Sequence, residues 1–157
     1  MASQVVDDLD RIMAVMDAAF DPRWGEAWTR KQVSDSLIVP TTHYLLIDGD
    51  GMLDPPSEAD AAGFLLSRAA PGEEELLLIG VHPDARGRGL GGALIDRFVT
   101  EAAARGAEQV FLEMRRNNPA AALYAAKGFS PIGHRKDYYS LGDGSRLDAI
   151  TFGKDCN

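Results

Sequence analysis

The stretch VHPDARGRGLGGALIDRF, residues 81–98, puts four glycines and the arginines Arg86 and Arg88 between an apolar run and an amphipathic one. Glycine lacks a Cβ, so its backbone N–H groups can approach an anion closely. A helix starting near Gly89 turns the positive end of its dipole toward the same point. The turn therefore reads as a phosphate seat. Gly87, Gly89 and Gly92 satisfy G-x-G-x-x-G, the dinucleotide fingerprint, but the context is wrong. That motif follows its strand almost directly, opens its domain and precedes a second βαβ half. Here HPDAR intervenes and about 80 residues come first. A Walker loop is excluded, since no Gly-Lys-Ser/Thr follows. The register R-x-x-G-x-G, at Arg86, Gly89 and Gly91, fits a pyrophosphate better, with Arg86 and Arg88 able to reach outer phosphate oxygens by charge-assisted bonds.

Working outward, EELLLIGV before the turn reads as a strand buried in the middle of a sheet. After it, Leu90, Leu94, Phe98 and Ala102 share one face of a helix that runs from Gly89 to Arg105 and is ended by Gly106. QVFLEM is a strand. PAAALYAAK is a short helix with proline in its first turn, closed by Gly128. FSPIGHRKDYY and RLDAITFG are strands around GDGS, a hairpin. Toward the N-terminus, HYLLID and AAGFLLSRAA are strands separated by a polar Gly/Pro loop. Thr29 caps a short helix to about Leu37. Val5, Leu9, Ile12, Met13, Met16 and Phe20 lie on one helical face, which Pro22 and Gly25 end. The order predicts an α/β domain.

The bulk numbers agree. A chain of 157 residues fits one domain over residues 1–157. Apolar residues make up 45% and charged residues 25%, a soluble composition. No apolar run approaches a membrane span, and the acidic N-terminus does not fit a signal peptide. The net charge of −8 argues against nucleic acid and favours a cationic partner. The single cysteine, Cys156, forms no internal disulfide and fits a cytoplasmic protein. His43, His82 and His134 are too scattered for a metal site, so no metal is expected.

R-G-R-G-L-G after LLLIGVHPDA resembles the acetyl-coenzyme A loop of the GNAT N-acetyltransferases. NNPAAALYAAKGF fits that family's N-x-x-A-x-x-L-Y-x-x-x-G-F at Asn117, Ala120, Leu123, Tyr124, Gly128 and Phe129. The resemblance covers residues 76–129. It implies the GNAT fold, a mixed, mostly antiparallel sheet of six to seven strands flanked by helices on both faces, with a C-terminal β-hairpin. It also implies acetyl-coenzyme A as co-substrate. The coenzyme would be held by Ile79, Gly80 and Val81, where the next parallel strand splays away, by the turn Arg86, Gly87, Arg88, Gly89, Leu90, Gly91 and Gly92, and by Asn117.

A narrower resemblance is to the RimI-type ribosomal-protein alanine N-acetyltransferases, carried by FLEMR, RKDYY, DGSRLDAI and WGEAWTRKQV. It implies acetyl transfer to a protein N-terminal α-amine, with a ribosomal protein as partner. A small-molecule amine acceptor and a non-catalytic acetyl-coenzyme A-binding module are the alternatives, and monomer and dimer both fit.

Acetyl transfer needs a neutral amine, a donor for the thioester oxygen and a proton for the leaving thiolate. In the resemblance Glu113 takes the amine proton through water and Tyr124 protonates the thiolate; the oxygen donor is expected to be the backbone N–H of Val81 or a neighbour. Glu73, Glu74 and Glu75 are competing bases. In the RimI type the glutamate-to-asparagine interval is commonly five residues. Asn118 would meet it, but the helix register selects Asn117. In the resemblance the segment with Tyr138 and Tyr139 lines the acceptor groove, where strand alternation allows one of them to face it, and an aromatic pair in the hairpin core is the alternative. The family commonly has asparagine where Asp137 stands. Trp24 and Trp28 border the groove or pack in the core.

Overall fold

Leu76 and Leu78 stand two apart in one strand, yet they face opposite sides of the sheet, and that irregularity shapes the molecule. The computed structural model describes residues 2–21 and 26–156, with side chains from residue 8 onward. Pro22, Trp24 and Gly25, and the Val5 side chain, lie outside the described residues. The elements are α1 (Ala2–Ala19), α2 (Arg30–Leu37), β1 (Thr42–Ile47), β2 (Gly63–Ala70), β3 (Glu73–Val81), α3 (Leu90–Ala104), β4 (Gln109–Arg115), α4 (Ala121–Ala126), β5 (Ser130–Ser140) and β6 (Arg146–Asp155). A single 3-10 turn, Pro83–Ala85, stands between β3 and the glycine turn.

Among the described residues six strands form one sheet in the order β1-β2-β3-β4-β6-β5. Only β3 and β4 run parallel, joined by α3. α1 and α2 cover one face, where Leu9, Ile12, Val15, Met16 and Val33 pack on Leu46, Phe64, Leu66 and Leu78. α3 covers the other, where Leu90, Leu94, Phe98 and Ala102 pack on Leu45, Ile47, Leu65, Leu76, Val110, Leu112 and Met114. The expected α3 face is thus the buried one. A fully buried Phe98 or Leu94 contributes roughly 1.5–3 kcal/mol. No described helix is long and apolar enough to cross a membrane.

Local chemistry fixes the helix ends. Thr29 caps α2 through a reciprocal box: its hydroxyl accepts from Gln32 N–H, and the Gln32 side chain accepts from Thr29 N–H. α4 begins at Ala121, later than expected, so Pro119 precedes the helix. Asn118 makes a turn first, accepting from Ala120 N–H with its side chain and from Ala121 N–H with its carbonyl.

In β3, Leu66 pairs with Leu78 but Ser67 pairs with Leu76, so Leu77 is an extra residue. Leu76 belongs to the α3 side, while Leu77 and Leu78 both turn to the α1 side. One inserted residue reverses the alternation of everything after it and bends the strand. The β3–β4 ladder runs from Glu73–Gln109 to Glu75–Phe111 and then stops. β3 continues to Val81 and β4 to Arg115 with no pairing between them.

Candidate active site

A cavity of about 630 Å³ opens where the two strands part. Its walls are the end of α1 (Ala19, Phe20, Asp21), the end of β3 (Ile79, Gly80, Val81), the turn from Ala85 to Gly92, and the start of α4 (Leu123, Tyr124). Glu26, Arg115 and Asn118 close it on the β4 side.

The glycine turn forms one end. The first α3 hydrogen bond runs from Ala93 N–H to Gly89 O, so the N–H groups of Leu90, Gly91 and Gly92 lack an acceptor inside the helix. Gly87 and Gly89 have φ of 83° and 78°, the left-handed region that glycine enters without strain. Gly91 and Gly92 are small for another reason. A Cβ there would stand 3.1 Å from Leu123 and 3.0 Å from Lys127, so these glycines let α3 approach α4. Arg86 lines the cavity and donates to Ala19 O at 3.1 Å. Arg88 is turned away from it, donating to Gly49 O and Asp84 O.

Tyr124 forms the floor. It is 4% exposed, and its ring stands 6.0 Å from that of Phe129 and 6.4 Å from that of Phe152. Burial first, then the nearby charge of Glu26, push its phenol well above the ordinary value.

The β4 side holds the charged groups. Val110, Leu112 and Met114 point into the α3 core, so Glu113 and Arg115 share the opposite face. Arg115 is buried. Its Nε donates to Glu26 Oε1 at 3.1 Å and its Nη1 to Asn117 Oδ1 at 2.6 Å. Asn117 is therefore turned to Arg115, and Asn118 is the asparagine that lines the cavity. Glu113 stands beside the lining, with Thr151 Oγ1 at 3.5 Å and Arg135 Nε at 3.7 Å from its Oε2.

The competing bases sit elsewhere. Glu73, Glu74 and Glu75 are at the paired start of β3, and at about 3.3 Å per residue Glu74 is roughly 20 Å from Gly80. Glu74 is buried on Arg105 and Ser67, and Glu75 pairs with Arg68. They cannot reach the cavity.

The hairpin departs from simple alternation. Besides one extra residue between Pro131 and Gly133, β5 carries two more between Arg135, which pairs with Ala149, and Tyr139, which pairs with Leu147; Asp137 in that stretch has φ of 54°. Asp148 Oδ1 accepts the Asp137 N–H at 2.8 Å, and His134 stands 2.7 Å from the other carboxylate oxygen. The bulge brings the Tyr138 and Tyr139 rings edge to face at 5.2 Å, where strict alternation would separate them. Arg135 lies over the Tyr138 ring. Burial, then the charges of Glu113 and Glu26, push the Tyr139 phenol up to about 12. Trp28 packs against the α1–α2 core.

This arrangement has relatives. The family model for the acetyltransferase (GNAT) domain matches residues 42–131, from β1 into β5. The chain belongs to the GNAT acetyltransferase family. The [ribosomal protein bS18]-alanine N-acetyltransferase of Escherichia coli K12 is 40% identical over 90 residues, 57% of this chain and 60% of that relative. The matched stretch thus spans less than two thirds of that relative's length. The N-alpha-acetyltransferase RimI of Mycobacterium tuberculosis H37Rv is 36% identical over 132 residues, 83% of this chain and 77% of the relative. The crystal structure of the ribosomal-protein-S18-alanine N-acetyltransferase from Escherichia coli superposes with a TM-score of 0.77 at 28% identity, covering 96% of this chain and 88% of that one.

The GNAT fold expected from the sequence is therefore the one observed, with six strands. One feature of this GNAT site escaped the sequence, and one was set aside in favour of its neighbour. Glu26 follows a break in the chain's periodicity and finds its partner 89 residues away. Asn118 differs from Asn117 only by the turn that each makes. The αL position of Gly89 has a measurable consequence. Gly89→Ala is expected to cost about 1–2 kcal/mol, read by urea unfolding, because a Cβ strains a left-handed residue. Gly91→Ala keeps an ordinary φ and is expected to act instead through Leu123, by displacing α4.

Proposed function

We propose that this GNAT chain transfers acetyl from acetyl-coenzyme A to the N-terminal α-amine of a protein, with a ribosomal protein's alanine as acceptor. One observation carries the reading. A single cavity, opened by the lost β3–β4 pairing, has unpaired helix N–H groups at one end and a tyrosine with a nearby carboxylate at the other. The likeness to the mycobacterial and Escherichia coli enzymes supports the acceptor class.

The residues fit acetyl-coenzyme A. The N–H groups of Leu90, Gly91 and Gly92 and the Arg86 guanidinium suit a pyrophosphate. The free edge of β3 at Ile79, Gly80 and Val81 suits an arm that carries amides. Asn118 takes the lining position expected of Asn117. The coenzyme supplies a thioester, an acyl group activated for attack.

In the transfer an N–C bond forms and the C–S bond breaks. One proton leaves nitrogen and one reaches sulfur. An α-amine has a pKa of roughly 8, so a modest acceptor suffices to keep it neutral. Glu113 receives that proton through water. Tyr124, held protonated by burial, passes its phenolic proton to the departing sulfur and is reprotonated from solvent. The Val81 N–H, at the end of β3 left unpaired by β4, would serve as donor to the thioester oxygen. The acidic net charge complements a basic N-terminal tail.

The test is an acetylation screen of N-terminal peptides, read by mass. An alanine-starting basic peptide is expected to gain one acetyl at its α-amine and none when that amine is blocked. Acetylation of free amino acids alone would favour a small-molecule acceptor. Coenzyme binding without acetyl release on any amine would make the chain a binding module.

A further inference from the structure

Resting on that reading, we infer that Glu26 is the seat of the acceptor amine and that Arg115 positions it. Among the described residues two carboxylates line the cavity, Asp21 and Glu26. Asp21 is exposed at the end of α1, on the wall that Arg86 touches through Ala19 O. Glu26 is partly buried, with 24% of its side chain exposed, and bonds Arg115, whose cross-strand neighbour Ala149 on β6 pairs in turn with Arg135 of β5. Its charge acts on two phenols in different elements, Tyr124 on the cavity floor and Tyr139 on β5. The charge of Glu113 acts on Tyr139. Glu26 thus shares the cavity with Tyr124 and, through Arg115, adjoins the strand rung that carries Arg135 of the hairpin, where an amine entering from the hairpin side would meet the cavity.

Its bonding leaves it suited to that task. Arg115 Nε takes one carboxylate oxygen, Oε1. Held by that bond, the carboxylate can offer Oε2 to an N–H donor. Arg115 also grips Asn117 Oδ1, so one buried guanidinium joins the acceptor wall to the turn before α4. That linkage fixes the carboxylate relative to Tyr124. Glu113, bridged by Thr151 and Arg135 beside the lining, is left to relay the proton. The division is physical: Glu26 binds the amine, and Glu113 acts on its proton.

The two carboxylates are separated by steady-state kinetics with an alanine-starting basic peptide. Glu26→Gln keeps an acceptor for Arg115 Nε and removes the charge that faces the amine. It is expected to raise the peptide KM about tenfold, the loss of one charge-assisted bond, with kcat and the acetyl-coenzyme A KM within about twofold. Glu113→Gln is expected to lower kcat with little change in peptide KM. A peptide KM for Glu26→Gln within about twofold of the wild type would overturn the seat, as would a parallel rise in the acetyl-coenzyme A KM, which marks a merely structural residue. A wild-type protein that acetylates no peptide defeats the underlying reading instead, so the two failures are distinguishable.

Discussion

Tyr124→Phe is expected to lower kcat by about 10²–10³ while acetyl-coenzyme A binding stays within about twofold. The size follows from removing one donor aimed at developing charge in a water-poor site, which typically costs about 2.7–4 kcal/mol of barrier. Burial raises the phenol above its ordinary value, which keeps Tyr124 protonated for the donor role proposed for it. In the proposed transfer such a phenol helps first as a hydrogen bond to the departing sulfur and passes its proton only as the C–S bond breaks. The ring itself is retained in the variant, and so are its edge contacts with Phe129 and Phe152. Stability should therefore change little. The same raised value makes a pH statement: ionisation of Tyr124 contributes no alkaline fall in kcat below about pH 10. Single-turnover kinetics together with coenzyme binding by calorimetry read both halves. A variant within about threefold of wild-type turnover would reduce Tyr124 to a packed aromatic.

Much of this site was legible because local rules act over short distances. Thr29 and Gln32 are three apart, so the α2 cap could be read from the sequence. Leu90, Leu94, Phe98 and Ala102 follow the helical period, and all are buried. Gly87 and Gly89 announce a turn because few other residues tolerate their φ. What could not be read depends on parity or on distant partners. Leu76, Leu77 and Leu78 look like a regular buried strand, and nothing in three leucines marks the bulge that reverses their faces. The two extra residues between Arg135 and Tyr139 in β5 likewise bring Tyr138 and Tyr139 together, against the alternation that the sequence predicts. Glu73, Glu74 and Glu75 were plausible bases by position before β3, yet the cavity opens at the strand's other end. Which end opens is decided by where the β3–β4 ladder stops, a property of two strands about 35 residues apart in the chain.

That ladder is anchored by the second large expected effect. Arg105→Ala is expected to destabilise the protein by about 3 kcal/mol at pH 7, the low end of the range for breaking a buried pair, because Arg105 is 28% exposed. Glu74 is 1% exposed and takes two bonds from Arg105, at 2.9 and 2.6 Å, with a third from Ser67 Oγ at 2.7 Å. Burial by itself would raise the Glu74 carboxyl, but the Arg105 and Ser67 hydrogen bonds outweigh it and hold the group below its ordinary value. Arg105 ends α3, so this pair ties the helix C-terminus to the closed end of the sheet while its N-terminus stands at the open end. A carboxyl lowered in the folded state adds stability that is present above its unfolded pKa, roughly 4.3, and is lost as pH falls through the lower folded value. The gap between wild type and Arg105→Ala should therefore narrow in acid below about pH 4. Replacing both partners, Glu74→Met with Arg105→Met, should recover most of the loss, since no charge is left buried. Urea unfolding at pH 7 and in acid measures all three. A loss under 1 kcal/mol, or a gap that widens in acid, would mean that the pair does not anchor the helix.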